Sequence, residues 1–146
     1  MARMHSSGKG QSISMKPLST TVPTYLAKPI AEIKKDIIHL ANKGMVPSAI
    51  GNMLRDNYGV GNARDIFGMT ILEFCKQNNC APIIPEDLAA LIEKSNIIRA
   101  HLIAHRKDND AKYRLNLVNS KLHRLVRYYK TKNVLPGNYK PVFSTK

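Results

Sequence analysis

His101 and His105 stand four residues apart, and Asp108 follows three residues later. On a helix the two imidazoles share one face, and a pair at that spacing can hold a single divalent ion. The surroundings argue against it. No glutamate lies between the histidines to serve as a general base, and no third His or Cys follows at ligand spacing. Five bases (Arg99, Arg106, Lys107, Lys112 and Arg114) crowd the same stretch and disfavour a cation. The same residue types suit RNA. His, Asp and Tyr at a corner between helices can bond base edges and 2′-hydroxyls in a shallow minor groove, while neighbouring Lys and Arg hold phosphates. Asp108 and Asp110 are informative because phosphates repel a carboxylate. Such a residue accepts from base amino groups or sugar hydroxyls, braces an arginine, or caps the N-terminus of the following helix. All three readings are open at this level.

Catalysis finds no better footing. The chain has only ten acids, mostly dispersed, so a metal-dependent nuclease lacks its carboxylate cluster. No nucleophile elbow, Cys/His signature or P-loop is present. The expectation is a non-enzyme without metal, cofactor or small-molecule substrate.

Charge points the same way. Of the net +13, residues 96–146 carry twelve Lys/Arg against two acids. Residues 1–35 carry six bases and one acid, and residues 36–95 five bases and seven acids. Basic ends around a near-neutral middle imply a polyanionic partner, nucleic acid before membrane because no strongly apolar anchor accompanies the charge. At 43% hydrophobic, the 146 residues can bury a core, and with no Trp it should rest on Ile, Leu, Val and Ala, which suits helix packing. Cys75 and Cys80 are too few for a disulfide scaffold or a four-Cys zinc site and read as buried, inert thiols. No stretch resembles a signal peptide or a membrane span, so the expected home is a reducing compartment, cytosol or nucleus.

The elements that must position these residues are helical. Residues 1–22 lack apolar periodicity and read as an extended basic arm, which orders against phosphates or serves as a plain tail. Pro29 at N1 opens a helix with Ile30, Ile33, Ile37 and Leu40 inward, stopped by Gly44. Pro47 opens a second with Ile50, Met53 and Leu54 inward, ending near Gly59 before a loop at 59–62. Residues 69–78 make another, with Ile71, Leu72 and Cys75 inward. Pro85-Glu86-Asp87 starts a longer helix, proline in its first turn, running to about 105 with Leu88, Leu91, Ile92, Ile98 and Leu102 on one face. Ile97 falls off that stripe. In the final helix Leu115, Val118, Leu122, Leu125, Val126 and Tyr129 share an arc of about 100°. Arg114, Lys121, Arg124, Arg127 and Lys130 spread over the remaining circumference. No acid occurs after Asp110, whereas a merely solvated face mixes Glu with Lys. A Pro-broken tail follows. The expected fold is all-α: the 1–22 arm, an N-terminal helical subdomain (23–80), a C-terminal antiparallel pair of long helices (81–133) joined near 106–111, and an extended tail (134–146) lying over the core or over the partner.

Several strings carry a family resemblance: Arg3-Met-His5 with Gly8-Lys-Gly10, Pro47-Ser-Ala-Ile-Gly51, Leu54-Arg-Asp56, Pro85-Glu-Asp-Leu88, His105-Arg-Lys-Asp108-Asn-Asp-Ala-Lys112 and His123-Arg-Leu-Val-Arg-Tyr-Tyr-Lys130. In order and spacing the chain resembles the universal small-subunit ribosomal protein fifteen family, in its archaeal and eukaryotic long form. The resemblance implies an all-helical protein holding a three-way junction and an adjacent minor-groove motif with a G·U pair in the central domain of small-subunit rRNA. It further implies early binding in assembly, neighbouring small-subunit proteins, and a bridge to the large subunit. The implied home is the cytosolic ribosome, with nucleolar passage if the source is eukaryotic. The minor-groove positions correspond to His101 and Asp108 with His105 alongside, and the junction tyrosine to Tyr128. Arg106, Lys107, Lys112, Arg114, Lys121, Arg124, Arg127 and Lys130 would meet phosphates, with Arg3, His5 and Lys9 on the arm. The chain departs from the family at Ala111, where bacterial relatives have an RNA-contacting Ser, and at Tyr25 and Tyr139, where eukaryotic relatives have Trp. Residues 61–68 fit the pattern poorly.

Two other readings compete. A free-standing DNA-binding protein would use the 47–78 helices as a helix-turn-helix, yet that segment is near neutral where a recognition helix should be basic. A small metal-dependent hydrolase lacks ligands.

Overall fold

The computed structural model describes Gly8, Gly10 and residues 21–143, so the expectations for Arg3, His5 and Lys9 lie outside the described residues. Six α-helices follow one another: α1 (Ile30–Asn42), α2 (Pro47–Tyr58), α3 (Ala63–Phe67), α4 (Ile71–Gln77), α5 (Glu86–Ala104) and α6 (Asn109–Thr131). No strand occurs among the described residues. The fold is all-α, as the sequence predicts. The chain divides after residue 83 into two compact units.

The first unit packs α1–α4 around Ile33, Ile37, Ile50, Leu54, Val60, Phe67, Phe74 and Cys75. Pro29 is the N-cap of α1 rather than its first residue, with ψ at 147° and its carbonyl accepting from Ile33 N–H at 3.2 Å. Pro85 likewise caps α5 from outside. Only Pro47 sits inside its helix start. Gly59 closes α2 in the left-handed region at φ 73°, and a Cβ there would meet the Tyr25 ring at 3.5 Å. Asp36 ties the chain before α1 to α2: it accepts from Lys28 Nζ and from the Tyr58 hydroxyl, each at 2.9 Å.

Two details differ from the sequence reading. The 61–68 segment contains a helix, α3, capped by the Asn62 side chain and closed by Gly68 at φ 73°. Five residues are too few to display a 3.6-residue period, so only its caps announce it. In α4, Leu72 points outward at 41% exposure, and Phe74 takes the inward place expected of it. The helix starts at Ile71, because Thr70 and Glu73 form a capping box. From that start Leu72 lies about 100° round from Ile71, while Phe74 and Cys75 fall within about 60° of it. Burial pushes the Cys75 thiol up to about 11, with Cys80 contributing. That keeps it protonated and unreactive at neutral pH.

The second unit is a helical hairpin. Side-chain bonds between α5 and α6 run in opposite chain order: Asp87 with Tyr129, Ser95 with Asn119, His101 with Asp108. That sequence of partners is possible only for antiparallel helices. The connection spans only residues 105–108, shorter than expected. Leu88, Leu122, Val126 and Leu135 form the buried centre. Ser95 is fully buried and its hydroxyl bonds Asn119 Oδ1 at 3.1 Å, which satisfies a polar pair inside the interface. Ile97, off the predicted stripe, is 63% exposed. After α6, Asn133 turns the chain at φ 54° and Leu135 drops into the core. Tyr139 and Phe143 pack against the same cluster, so this part of the tail lies over the hairpin.

Leu122→Ala is expected to cost about 2–5 kcal/mol in denaturant unfolding, as buried leucine truncations do, and Leu72→Ala well under about 1 kcal/mol. Tyr129 gives a second check. Burial, then its 2.7 Å bonds to the Asp87 carboxylate, push the phenol up to about 12. Its raised value means the contribution to stability is complete below the ordinary tyrosine range near 10 and is lost as pH climbs toward 12. An absorbance titration should show a phenol ionising near 12 that disappears in Tyr129→Phe.

Candidate nucleic-acid interface

The hairpin turn is built from short local bonds. His105 ends α5, its N–H donating to His101 O at 2.8 Å, and its carbonyl accepts from Asp108 N–H at 3.1 Å. Asp108 is the N-cap of α6: Oδ1 accepts from Ala111 N–H at 2.9 Å. Its other oxygen, Oδ2, lies 3.0 Å from His101 Nε2. The capping reading of Asp108 is therefore realised, together with a tie back across the turn to α5. Asp110 forms a loose, exposed pair with Arg114 at 3.4 Å, so it braces an arginine.

The electrostatics follow from the geometry. The Ala111 N–H, then the His101 side chain, hold the Asp108 carboxyl below its usual value, against a smaller desolvation cost. The pair is accessible from outside: the Asp108 side chain is 37% exposed and that of His101 46%. With the carboxylate ionised, Nε2–H of His101 is the donor of their bond. The His105 ring lies 4.6 Å from that of His101. Together with Ile103, Ala104, Arg106 and Lys107 these residues line an open concavity of about 730 Å³. Among the described residues, no group of three His, Cys, Asp or Glu is placed to hold a metal ion.

The predicted site residues on the described chain fall into two stations along the hairpin. His101, His105, Arg106, Lys107, Asp108, Lys112 and Arg114 gather at the turn and the first turns of α6. Arg124, Arg127, Tyr128 and Lys130 lie some twenty residues on, about 30 Å along the axis, with Lys121 between. Lys121, Arg124 and Arg127 are exposed and Lys130 partly so. None of the four pairs with an acid among the described residues. Tyr128 is 54% exposed and stands edge-on to Tyr129 at 5.4 Å. The structure adds His123, Tyr139, Lys140 and Phe143 beside the second station. His123 could have been found from its four-residue spacing to Arg127. The tail residues carry no periodic signal.

Comparison with known proteins bears on this arrangement. A family model described as the ribosomal S13/S15 N-terminal domain matches residues 1–60, and one described as ribosomal protein S15 matches residues 71–145. The small ribosomal subunit protein uS15 of Encephalitozoon cuniculi (strain GB-M1) is 52% identical over 141 residues, 97% of this chain and 95% of that protein. The chain belongs to the ribosomal protein S15 family. The matched spans leave 61–70 uncovered, the stretch that holds α3. Family membership leaves the free-standing DNA-binding reading without support. Ala111 offers no hydroxyl, and its backbone N–H holds Asp108.

The Asp108 carboxyl can be followed by NMR as pH is lowered. It should titrate below the ordinary aspartate value, and His101→Ala should raise it only part of the way, because the Ala111 N–H is the larger cause. The depressed value gives a stabilising contribution that is complete above the ordinary range near 4 and is lost as pH falls through the folded value.

Proposed function

We propose that the protein is a structural constituent of the small ribosomal subunit that binds a three-way junction of small-subunit rRNA and an adjacent minor-groove motif in the central domain. The observation that carries this reading is the His101–Asp108 pair held across the hairpin turn. A carboxylate oxygen keeps a second lone pair after one bond, so Asp108 Oδ2, held by His101, can still accept from a donor brought to the turn. An RNA minor groove offers matching donors, the guanine amino group and the ribose 2′-hydroxyls. In a G·U pair that amino group has no partner in the opposite base and is free to donate. Arg106, Lys107 and Lys112 flank the pair and would hold the phosphates on either side. The second station, Arg124, Arg127, Tyr128 and Lys130, would meet the converging strands of the junction. Its position about 30 Å along a rigid helix sets the spacing between the two RNA contacts.

The mechanism is architectural: the hairpin neutralises phosphates where RNA helices converge and so fixes the angle between them. The same reading carries support of assembly, contacts to neighbouring small-subunit proteins, a bridge to the large subunit, and residence on the cytosolic ribosome with nucleolar passage in a eukaryotic cell. It includes no catalytic step.

The test compares a central-domain junction RNA with a scrambled duplex of equal length at near-physiological salt. Wild type should prefer the junction by about an order of magnitude or more, the scale of a good base-edge contact. Asp108→Asn keeps a capping oxygen but replaces one acceptor with a donor. It should lose most of the preference while binding the scrambled duplex as before. With, say, six phosphates neutralised, log affinity should fall with log salt at a slope of roughly −4 to −5. Equal wild-type affinity for the two RNAs would reduce the hairpin to an electrostatic clamp and sink the assignment of Asp108.

A further inference from the structure

A groove of about 480 Å³ runs between α6 and the tail, its polar and aromatic lining made by His123, Arg127, Lys130, Tyr139, Lys140 and Phe143. Three of these come from one face of α6 at spacings of four and three residues, and three from the tail that folds back beside it. No acidic side chain lines it, and none follows Asp110 in the chain. The aromatic wall is fixed in advance. Tyr139 packs on the cluster of Leu88, Leu122, Val126 and Leu135, and the Arg99 guanidinium lies 3.9 Å from the Phe143 ring centre.

We propose that this groove holds an unpaired nucleotide of an RNA strand, its base against Tyr139 and Phe143 and its phosphates against Arg127, Lys130 and Lys140. The inference rests on the RNA-binding reading above and deepens its second station, which shares Arg127 and Lys130 with the groove. Cations interleaved with fixed aromatic rings are the composition that binds single strands, where each base offers a free π-face. A paired base hides both faces in its stack and could use only the cations. An acidic peptide would also leave the rings idle. The volume falls in the range of small-ligand sites and accommodates one nucleotide rather than a helix. Arg127 lies about 29 Å along α6 from Asp108, so this contact is separate from the turn.

The full-length chain would be titrated with a short single-stranded uridylate oligomer carrying 4-thiouridine, and photo-crosslinks mapped. The expected result is crosslinking at Tyr139 or Phe143, with affinity reduced about tenfold by Tyr139→Leu, the scale of one lost base–aromatic stack. Lys140→Glu should weaken binding comparably. Lys140 is exposed, so this variant carries the test if Tyr139→Leu disturbs the tail. Asp108→Asn, at the distant turn, should leave uridylate affinity unchanged. Unchanged uridylate affinity in Lys140→Glu, crosslinks elsewhere, or displacement by a polyglutamate peptide as effective as by unlabelled uridylate would each overturn the groove assignment. In those cases junction discrimination would still stand. Loss of that discrimination in wild type, with uridylate still crosslinked in the groove, would instead overturn the junction reading alone.

Discussion

The carboxylate of Asp108 closes the turn between α5 and α6, and its two oxygens divide the task. Oδ1 satisfies a backbone N–H at the start of α6, and Oδ2 meets the last turn of α5 through His101. The first bond decides where α6 begins, because a capping side chain fixes the residue from which helical hydrogen bonding can run. The second sets how the two helices face each other at their joined end. Register along the rest of the pair then follows from packing, with Ser95 meeting Asn119 and Asp87 meeting Tyr129 further from the turn. One side chain thus links the local start of a helix, the antiparallel packing and the exposed chemistry of the corner.

The charge distribution complements this arrangement. A 23-residue helix with cations around most of its solvent side and no acid after its first turn repels itself in isolation. What holds it is the apolar strip of Val118, Leu122 and Val126 against α5, reinforced by Leu135 from the tail. Burial on one side stabilises a surface that electrostatics alone would disfavour, and a polyanion alongside removes the remaining repulsion. The first unit, near neutral, follows ordinary rules. Ile33, Ile37, Ile50 and Leu54 fill its centre, and its helices end at caps and left-handed residues rather than at charged partners.

Much of this was legible before any coordinates. Long amphipathic helices announce themselves because many apolar positions repeat at one period, so the inward faces of α1, α2 and α6 matched the reading. The failures were local. The pattern places Leu72 inward because a seven-residue helix has too few positions to fix its phase, whereas the Thr70–Glu73 box sets that phase and turns Leu72 outward. The helix at 63–67 left no periodic trace. Pro29 and Pro85 sit one residue outside the position their sequence signal suggests, since a proline's fixed φ suits both the cap and the first turn. At the corner, residue types and spacing were enough to single out His101, His105 and Asp108, but not to choose among bracing, capping and contact for Asp108.

The sequence by itself determined the all-α class, the main helices, the concentration of positive charge on the last one, and the family. These properties are written in composition, in periodicity, and in the order of short strings along the chain. Only the tertiary structure decided which groups meet. Ser95 and Asn119 are twenty-four residues apart, Asp87 and Tyr129 forty-two, and Arg99 and Phe143 belong to different segments. Such pairs depend on where the hairpin folds and how the tail returns, and no local pattern encodes a contact made by closing a long loop. The two-oxygen division of Asp108 is of the same kind: its cap is local, but its bond to His101 exists only once the chain has turned back on itself.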